Sequence, residues 1–469
     1  MNYFNELPLS PSIQRALQEL GYVTMTPIQQ LAIPLMLEGT SIIAKAETGS
    51  GKTAAYSIPM IEQIDWLENK PQGLVIAPNR ELAIQIAEDI NHIGRYKRIK
   101  ALPIYGRASI KEQTLALKQK NHIISGTPGR LMDLIEKGVL NLDKLRFLII
   151  DEADELLQEE FLSQLELVFQ NLPTNCIISL FSATISEQVE RISHLHDTAF
   201  TFIDATMLDT LQIQEFTYHS IDTRKPQDLL SLLALHPNQG GIIFTGTKIV
   251  SEKVCKVLRR ANISASFIHA DLEQRKRIQH MNEFKTGKYL FLVATDLSAR
   301  GIDVDGIDLV INYDLPTTPA NYTHRIGRIG RNGRSGTAIN LVTPEQMVYL
   351  KRIENLTEKD LTPIDIPTSY ETPTNTQSPV ISRSKKGSNV GTDITRLYIN
   401  GGKRKKLRAA DIVGTLCSIH SITPDDIGII EIKENETYVE LLNGKGNLAL
   451  TELREKTIKG RKYKVHIAK

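Results

Sequence analysis

The chain of 469 residues is poor in cysteine and tryptophan, with three of the first (Cys176, Cys255, Cys417) and one of the second. The thiols lie far apart, without the paired spacing of a zinc site or the even count of a disulfide framework. A reducing, cytoplasmic setting is therefore expected. No uninterrupted apolar stretch approaches the roughly 18 residues of a membrane span. The first twenty residues carry Glu6, Arg15 and Glu19 and no apolar segment, which argues against a secretory leader. Neither sign of charge dominates, since 56 Lys and Arg against 54 Asp and Glu leave a net +2. With 41% hydrophobic residues, the composition is that of a soluble globular protein.

The small net charge hides an asymmetry. Residues 394–469 carry 15 basic against 9 acidic side chains, a balance of +6, while the remainder stands at −4. A basic end on a slightly acidic body points to a polyanionic partner.

Up to about residue 345, short apolar runs alternate with amphipathic stretches. Candidate strands are Ser41–Ala44, Gly73–Ala77, His122–Ser125, Phe147–Ile150 and Cys176–Phe181, then Gly241–Phe244, Ala265–Ile268, Tyr289–Ala294, Leu309–Asn312 and Thr337–Leu341. Strands separated by helical stretches read as βαβ units with mainly parallel sheets. The two series predict two α/β domains, over 1–206 and 214–360, with a hinge where the pattern lapses near Asp204–Ile213. Residues 361–393 turn rich in Ser, Thr and Pro and predict a flexible linker. Order is expected to resume in a small α/β module over 394–469.

Two motifs carry chemistry. Ala46-Glu47-Thr48-Gly49-Ser50-Gly51-Lys52-Thr53 follows a predicted strand. Glycines there let backbone N–H groups wrap phosphates at a helix N-terminus; Lys52 reaches the β- and γ-phosphates, and the Thr53 hydroxyl serves magnesium. Phe147-Leu148-Ile149-Ile150 then runs into Asp151-Glu152-Ala153-Asp154, a buried strand opening into a cleft at its carboxyl end. Asp151 is expected to hold magnesium, largely through water, and Glu152 to act as general base. Phosphoryl transfer calls for a cationic wall opposite the γ-phosphate. His324-Arg325-Ile326-Gly327-Arg328-Ile329-Gly330-Arg331 offers one, with Arg328 and Arg331 as arginine fingers.

Over roughly residues 1–345 the ordered motif set resembles the DEAD-box ATP-dependent RNA helicases. Besides the two motifs above, Thr26-Pro27-Ile28-Gln29, Pro78–Ala83, Thr127–Arg130, Ser182-Ala183-Thr184, Gly241–Lys248, Gln274–Arg277 and Ala294–Asp303 match that family's pattern. The resemblance implies two tandem RecA-like domains, ATP with magnesium as cofactors, and RNA rather than DNA as partner. It assigns adenine selection to Gln29 and Phe4, and further nucleotide contacts to Gly301 and Asp303. Ser182, Thr184 and His324 become coupling residues, and Arg80, Gly106, Thr127, Arg130, Thr295 and Asp296 RNA contacts. Four positions depart from the family pattern: Asn79, Arg107, Thr245-Gly246 and Ile329, all on the RNA side or in supporting places.

Residues 396–469 resemble the RNA-binding domain of the DbpA group, through Arg396–Lys403, Ile427-Gly428 and Tyr438-Val439-Glu440. That resemblance implies a fold like an RNA-recognition motif and a hairpin of 23S ribosomal RNA as target. The residues themselves show a basic patch, Lys403, Arg404, Lys405, Lys406 and Arg408, suited to phosphates. Tyr398, Tyr438 and Tyr463 are either stacking platforms or core. The expected activity is RNA-dependent ATP hydrolysis with local unwinding of 23S rRNA during assembly of the large ribosomal subunit. The alternative is an RNA clamp or annealing protein gated by ATP, without strand separation.

Overall fold

The structure, a computed structural model, describes residues 2–47, 49–157, 159–184, 198–206, 213–237, 239–296, 307–329, 335–357, 359–367 and 393–468. Three sheets organise them. The first comprises β1 (Ser41–Lys45), β2 (Gly73–Ile76), β3 (Ala101–Ile104), β4 (Ile123–Gly126), β5 (Phe147–Asp151), β6 (Ile177–Ser182) and β7 (Phe200–Asp204). Its order is β3-β4-β2-β5-β6-β1-β7, and every pairing is parallel. Phe147 through Ile150 are completely buried, because helices cover both faces of a parallel sheet. Burial of each such side chain contributes about 1.5–3 kcal/mol.

The second sheet is built from β8 (Ile213–His219), β9 (Gly241–Phe244), β10 (Ala265–Ile268), β11 (Phe291–Ala294), β12 (Leu309–Asn312) and β13 (Gly336–Val342). Its order is β10-β11-β9-β12-β13-β8, again parallel throughout. Packed structure continues past residue 360. Leu361 is buried, and Ile364 pairs with Tyr218 at the edge of β8. The first part of the expected linker is thus docked on the second domain, and residues 368–392 lie outside the described residues.

The third sheet is antiparallel: β14 (Thr395–Ile399), β15 (Ile427–Ile432), β16 (Thr437–Leu441) and β17 (Val465–Ile467), in the order β15-β16-β14-β17. Strand alternation sends Leu397, Ile399, Val439 and Leu441 into a core with the helices Ala409–Cys417 and Gly446–Glu455. Tyr398 and Tyr438 fall on the other face, their rings edge to face at 5.6 Å. Tyr463 belongs to the core, and a Cβ on Gly401 would sit 2.3 Å from its ring. That face of the module meets the first domain, where Glu440 lies 3.6 Å from Arg95. No helix among the described residues is long and apolar enough to cross a membrane.

Candidate nucleotide and RNA sites

The carboxyl ends of β1, β5 and β6 converge on one corner. After β1 the chain turns through Gly49 (φ 84°) and Gly51 (φ 92°), left-handed values that glycine adopts without steric cost. It then enters the helix Lys52–Gln63. The resulting N-terminal cradle of N–H groups is a ready anion site. Lys52 is buried and donates from Nζ to the Ala46 carbonyl at 3.1 Å, and Ser50 Oγ donates to the Glu47 carbonyl at 2.8 Å. Ala46 N–H donates to the Ser182 carbonyl at 2.9 Å, tying the phosphate loop to the end of β6. Thr48 lies outside the described residues.

Gln29 bridges from the Thr26 turn to this loop. Its Oε1 accepts from Thr26 N–H at 2.9 Å, and its Nε2 donates to the Gly51 carbonyl at 3.1 Å. A Cβ on Gly51 would lie 2.4 Å from that amide nitrogen, so another residue there would displace the Gln29 amide as well as strain φ. Phe4 is placed differently from the expectation. It is buried in the core, its ring edge-on to Tyr22 at 5.4 Å, and Tyr22 is the more accessible of the two.

Asp151 is buried at the end of β5, accepting from the Tyr56 hydroxyl at 2.9 Å and from Glu152 N–H at 2.9 Å. Burial raises its pKa against the opposing pull of Lys52. Tyr56, fully buried on the helix after the phosphate loop, went unnoticed in the sequence because it reads as one more apolar position. Glu152 adopts φ 52°, ψ 52°, a costly conformation for a side-chain-bearing residue and one that concentrates at functional sites. Burial and the neighbouring Glu155 push its carboxyl up to about 7, with Arg328 opposing. Its Oε2 is buried with no hydrogen-bond partner among the described residues.

The second domain closes the corner. His324, on the helix Pro319–Ile326, places Nε2 3.5 Å from Asp154 Oδ2 and Nδ1 3.2 Å from Glu155 Oε1. Burial alone lowers an imidazole pKa, but the two carboxylates prevail and raise His324 to about 9. Burial likewise disfavours the charge on Asp154, yet the ion pair with His324 holds its carboxyl down at about 2. Asp154 Oδ2 also accepts from Thr184 Oγ1 at 3.1 Å, while Ser182 Oγ donates to the Thr184 carbonyl at 2.5 Å. The last acid of the tetrad is therefore the junction of Thr184 and His324, a role its place in the sequence did not disclose. Arg328 is buried, its Nε donating to the His324 carbonyl at 3.0 Å, with its charge felt at Glu152. Arg331, Gly301 and Asp303 lie outside the described residues.

Along the expected RNA edge, Arg80 opens the helix Arg80–Ile93, capped by Asn79 Oδ1 accepting from Leu82 N–H at 2.9 Å. The Asn79 departure thus keeps a good capping residue. The next residue, Glu81, forms a 2.9 Å ion pair with Arg277 across the domains. Arg130 differs from expectation: it is buried, and its Nη1 donates to the Ala108 carbonyl at 3.1 Å and to Gln113 Oε1 at 2.8 Å. Asp296 is gripped by Arg325 through two bonds, at 2.5 and 2.9 Å. Thr127 N-caps the helix Pro128–Glu136 that carries Arg130, and Thr295 directly follows β11.

In the C-terminal module, Lys403, Arg404, Lys405, Lys406 and Arg408 are all exposed around buried Leu407. Lys403 N–H donates to the Lys433 carbonyl at 2.9 Å and Arg404 N–H to the Glu434 carbonyl at 3.0 Å, pinning the basic loop to the β15–β16 turn. Gly402 is required there, since a Cβ would stand 2.2 Å from the Lys433 carbonyl oxygen.

These features agree with comparisons to known proteins. Residues 26–192 match the DEAD/DEAH box helicase family, 224–333 the helicase conserved C-terminal domain and 396–467 the DbpA RNA binding domain. The chain belongs to the DEAD-box ATP-dependent RNA helicases, enzymes that hydrolyse ATP in response to RNA. Among relatives, it is 42% identical to the ATP-dependent RNA helicase DbpA of Bacillus subtilis over the whole of both chains. It is 38% identical to the DEAD-box ATP-dependent RNA helicase CshA of Geobacillus kaustophilus, over 79% of this chain and 80% of that one. Among solved structures, S. cerevisiae Dbp5 bound to RNA and ADP BeF3 matches with a TM-score of 0.71 at 29% identity, over 78% of this chain and 96% of the other. A DEAD box protein from Methanococcus jannaschii, at 35% identity, reaches 0.52 over 78% and 99%.

Proposed function

We propose that this RNA helicase acts on 23S ribosomal RNA, separating short helices locally during assembly of the large ribosomal subunit in the cytoplasm. The observation that carries the reading is the module's pinned basic loop, five exposed cations held to a β-hairpin by backbone bonds. Such a loop holds phosphates in a fixed register. Its similarity to the DbpA domain supplies the choice of rRNA.

In this reading Gln29 selects adenine, with Tyr22 rather than Phe4 as the ring open to the base. ATP with magnesium supplies the transferable phosphoryl group and its charge neutralisation. Gly49, Gly51 and Lys52 bind the phosphates. Thr53 and Asp151 hold magnesium. Glu152 takes the proton of the attacking water through its unpartnered Oε2. Arg328 faces the developing charge, with Arg331 beside it in sequence. Thr184, Asp154 and His324 link nucleotide, RNA edge and second domain, so hydrolysis and strand bending occur together.

The test compares ATPase stimulation by 23S rRNA fragments and by unrelated RNA of equal length. The wild-type chain is set against a chain with Lys403, Arg404, Lys405 and Lys406 changed to Gln. Preference for one rRNA segment, lost in the variant, supports the assignment; equal stimulation by every RNA in both overturns it. The ATP-gated clamp is separated by a strand-displacement assay, in which a clamp binds RNA with ATP and never releases a short strand.

A further inference from the structure

The loop 105–109 joins β3 to the helix Ile110–Leu117 and carries Gly106 and Arg107. Both of its sides are braced. Gln113 Nε2 donates to the Tyr105 carbonyl at 3.1 Å, and Arg130 Nη1 donates to the Ala108 carbonyl at 3.1 Å and to Gln113 Oε1 at 2.8 Å. Gln113 and Arg130 are themselves buried, so the loop stands on a fixed base. Between the braces, Arg107 is exposed and held at φ 59°, a left-handed conformation in which glycine would be less strained. A strained, side-chain-bearing residue kept at such a place points to a use for its side chain.

The neighbourhood is cationic and open. A Cβ on Gly106 would meet nothing within 4 Å, so the protein leaves the space before this backbone open. Arg80 stands close enough for the charges of Arg107 and Arg277 to act on it, on top of its own burial. Three guanidinium groups thus gather from both domains, answered by Glu81 at 2.9 Å from Arg277 and by Asp271, which is paired with Lys248 and feels Arg107 across the cleft. Arg277 Nε is buried with no hydrogen-bond partner among the described residues. A cationic neighbourhood beside an open stretch of backbone suits an anion with several acceptor oxygens, and the phosphodiester backbone is one.

We propose that Arg107 is an additional RNA-phosphate contact of the helicase core, presented over the Gly106 gap by a base built from Arg130 and Gln113. Arg130 is then a positioning residue, acting on RNA through this loop. The proposal rests on the RNA-helicase assignment and deepens its RNA side.

The test measures binding of single-stranded RNA in the presence of a non-hydrolysable ATP analogue, across a series of salt concentrations, for wild type, R107G, R107K and D271N. R107G is expected to bind about 3–10-fold more weakly at moderate salt, with the slope of log affinity against log salt shallower by about 0.7. R107K is expected to keep the wild-type slope. Glycine suits the observed φ, so R107G should unfold at no lower temperature than wild type, which separates lost binding from lost folding. Wild-type affinity and slope in R107G overturn the proposal. So does a D271N variant that reproduces the R107G loss, because Arg107 would then be a latch between domains. Failure of the wild type itself to bind RNA removes the underlying assignment instead, and is seen before any variant is compared.

Discussion

The tetrad corner and the basic loop of the C-terminal module both crowd charge into a few residues, and they do it in opposite ways. At the corner, Asp151, Glu152, Asp154, Glu155, His324 and Arg328 come from two domains, with Glu152 raised from its ordinary pKa by burial and Glu155, and His324 raised against its own burial by Asp154 and Glu155. In the module, the cations of Lys403–Lys406 stand in water on a pinned turn. Buried charge interacts strongly over a few ångströms and is little screened by salt; exposed charge acts over about 10 Å and fades as salt is added. The proposed division, with chemistry at the corner and targeting at the loop, suits that difference.

Four sets of substitutions and one titration sharpen that contrast. The largest effect is expected from Glu152→Gln, which keeps shape and removes the base. ATP turnover should fall by about 10²–10⁴-fold, with RNA affinity retained when the analogue is bound. If RNA affinity collapses with turnover, the corner and the RNA edge are not separable. Next, neutralising Lys403, Arg404, Lys405 and Lys406 together should make the salt slope of RNA binding shallower by about 3 and weaken binding by one to two orders of magnitude near physiological salt. An unchanged slope would mean these cations contact no phosphate.

His324→Ala comes third. Removing one partner from a buried pair costs about 3 kcal/mol or more, here opposing domain closure, and domain-to-domain fluorescence transfer with RNA and analogue reads the loss. The same histidine sets a pH window. Its pKa stands at about 9 where the domains meet, against the ordinary 6.5 of a free imidazole. Closure is therefore fully favoured below about 6.5 and weakens as pH climbs through about 9. Glu152 must be ionised to accept a proton, so turnover should rise through about pH 7 and fall towards 9. In H324A the high-pH limb should vanish and the low-pH limb remain. The smallest effect belongs to Tyr56→Phe, which takes one hydrogen bond from Asp151 and should cost about 1 kcal/mol, near fivefold in turnover.

Much of the fold could be read directly because buried parallel strands are short and wholly apolar. β9, β10 and β12 begin and end where the sequence placed them. Three strands escaped. β3, Ala-Leu-Pro-Ile, is an edge strand broken in pattern by Pro103, and β7 is an edge strand with Thr201 and Phe202 exposed. β8 carries a partly exposed, polar-interrupted sequence of the kind that also marks a connection. In the site, residue types announced the phosphate loop and tetrad, since that chemistry accepts few substitutes. What the sequence could not convey was where a guanidinium or a ring is spent. Arg130 matched an RNA-contact position, yet its Nη1 goes to Ala108 and Gln113; Phe4 matched a base-stacking position, yet its ring fills the core. Such commitments depend on neighbours brought together only by folding.

The Gln29 amide reaches the Gly51 carbonyl at 3.1 Å, and Gly51 is the turn on which the phosphate helix begins. In the proposed reading, where Gln29 selects the base, one side chain serves both ends of a nucleotide's berth. A triphosphate carrying a base that Gln29 does not accept leaves the amide misaligned, and the misalignment is passed to the loop that should cradle the phosphates. Errors of base identity would then be converted into errors of phosphate geometry. The chain is then expected to discriminate among nucleotides less by refusing the wrong one than by holding it slightly out of line for hydrolysis, a form of fidelity that shows in kcat.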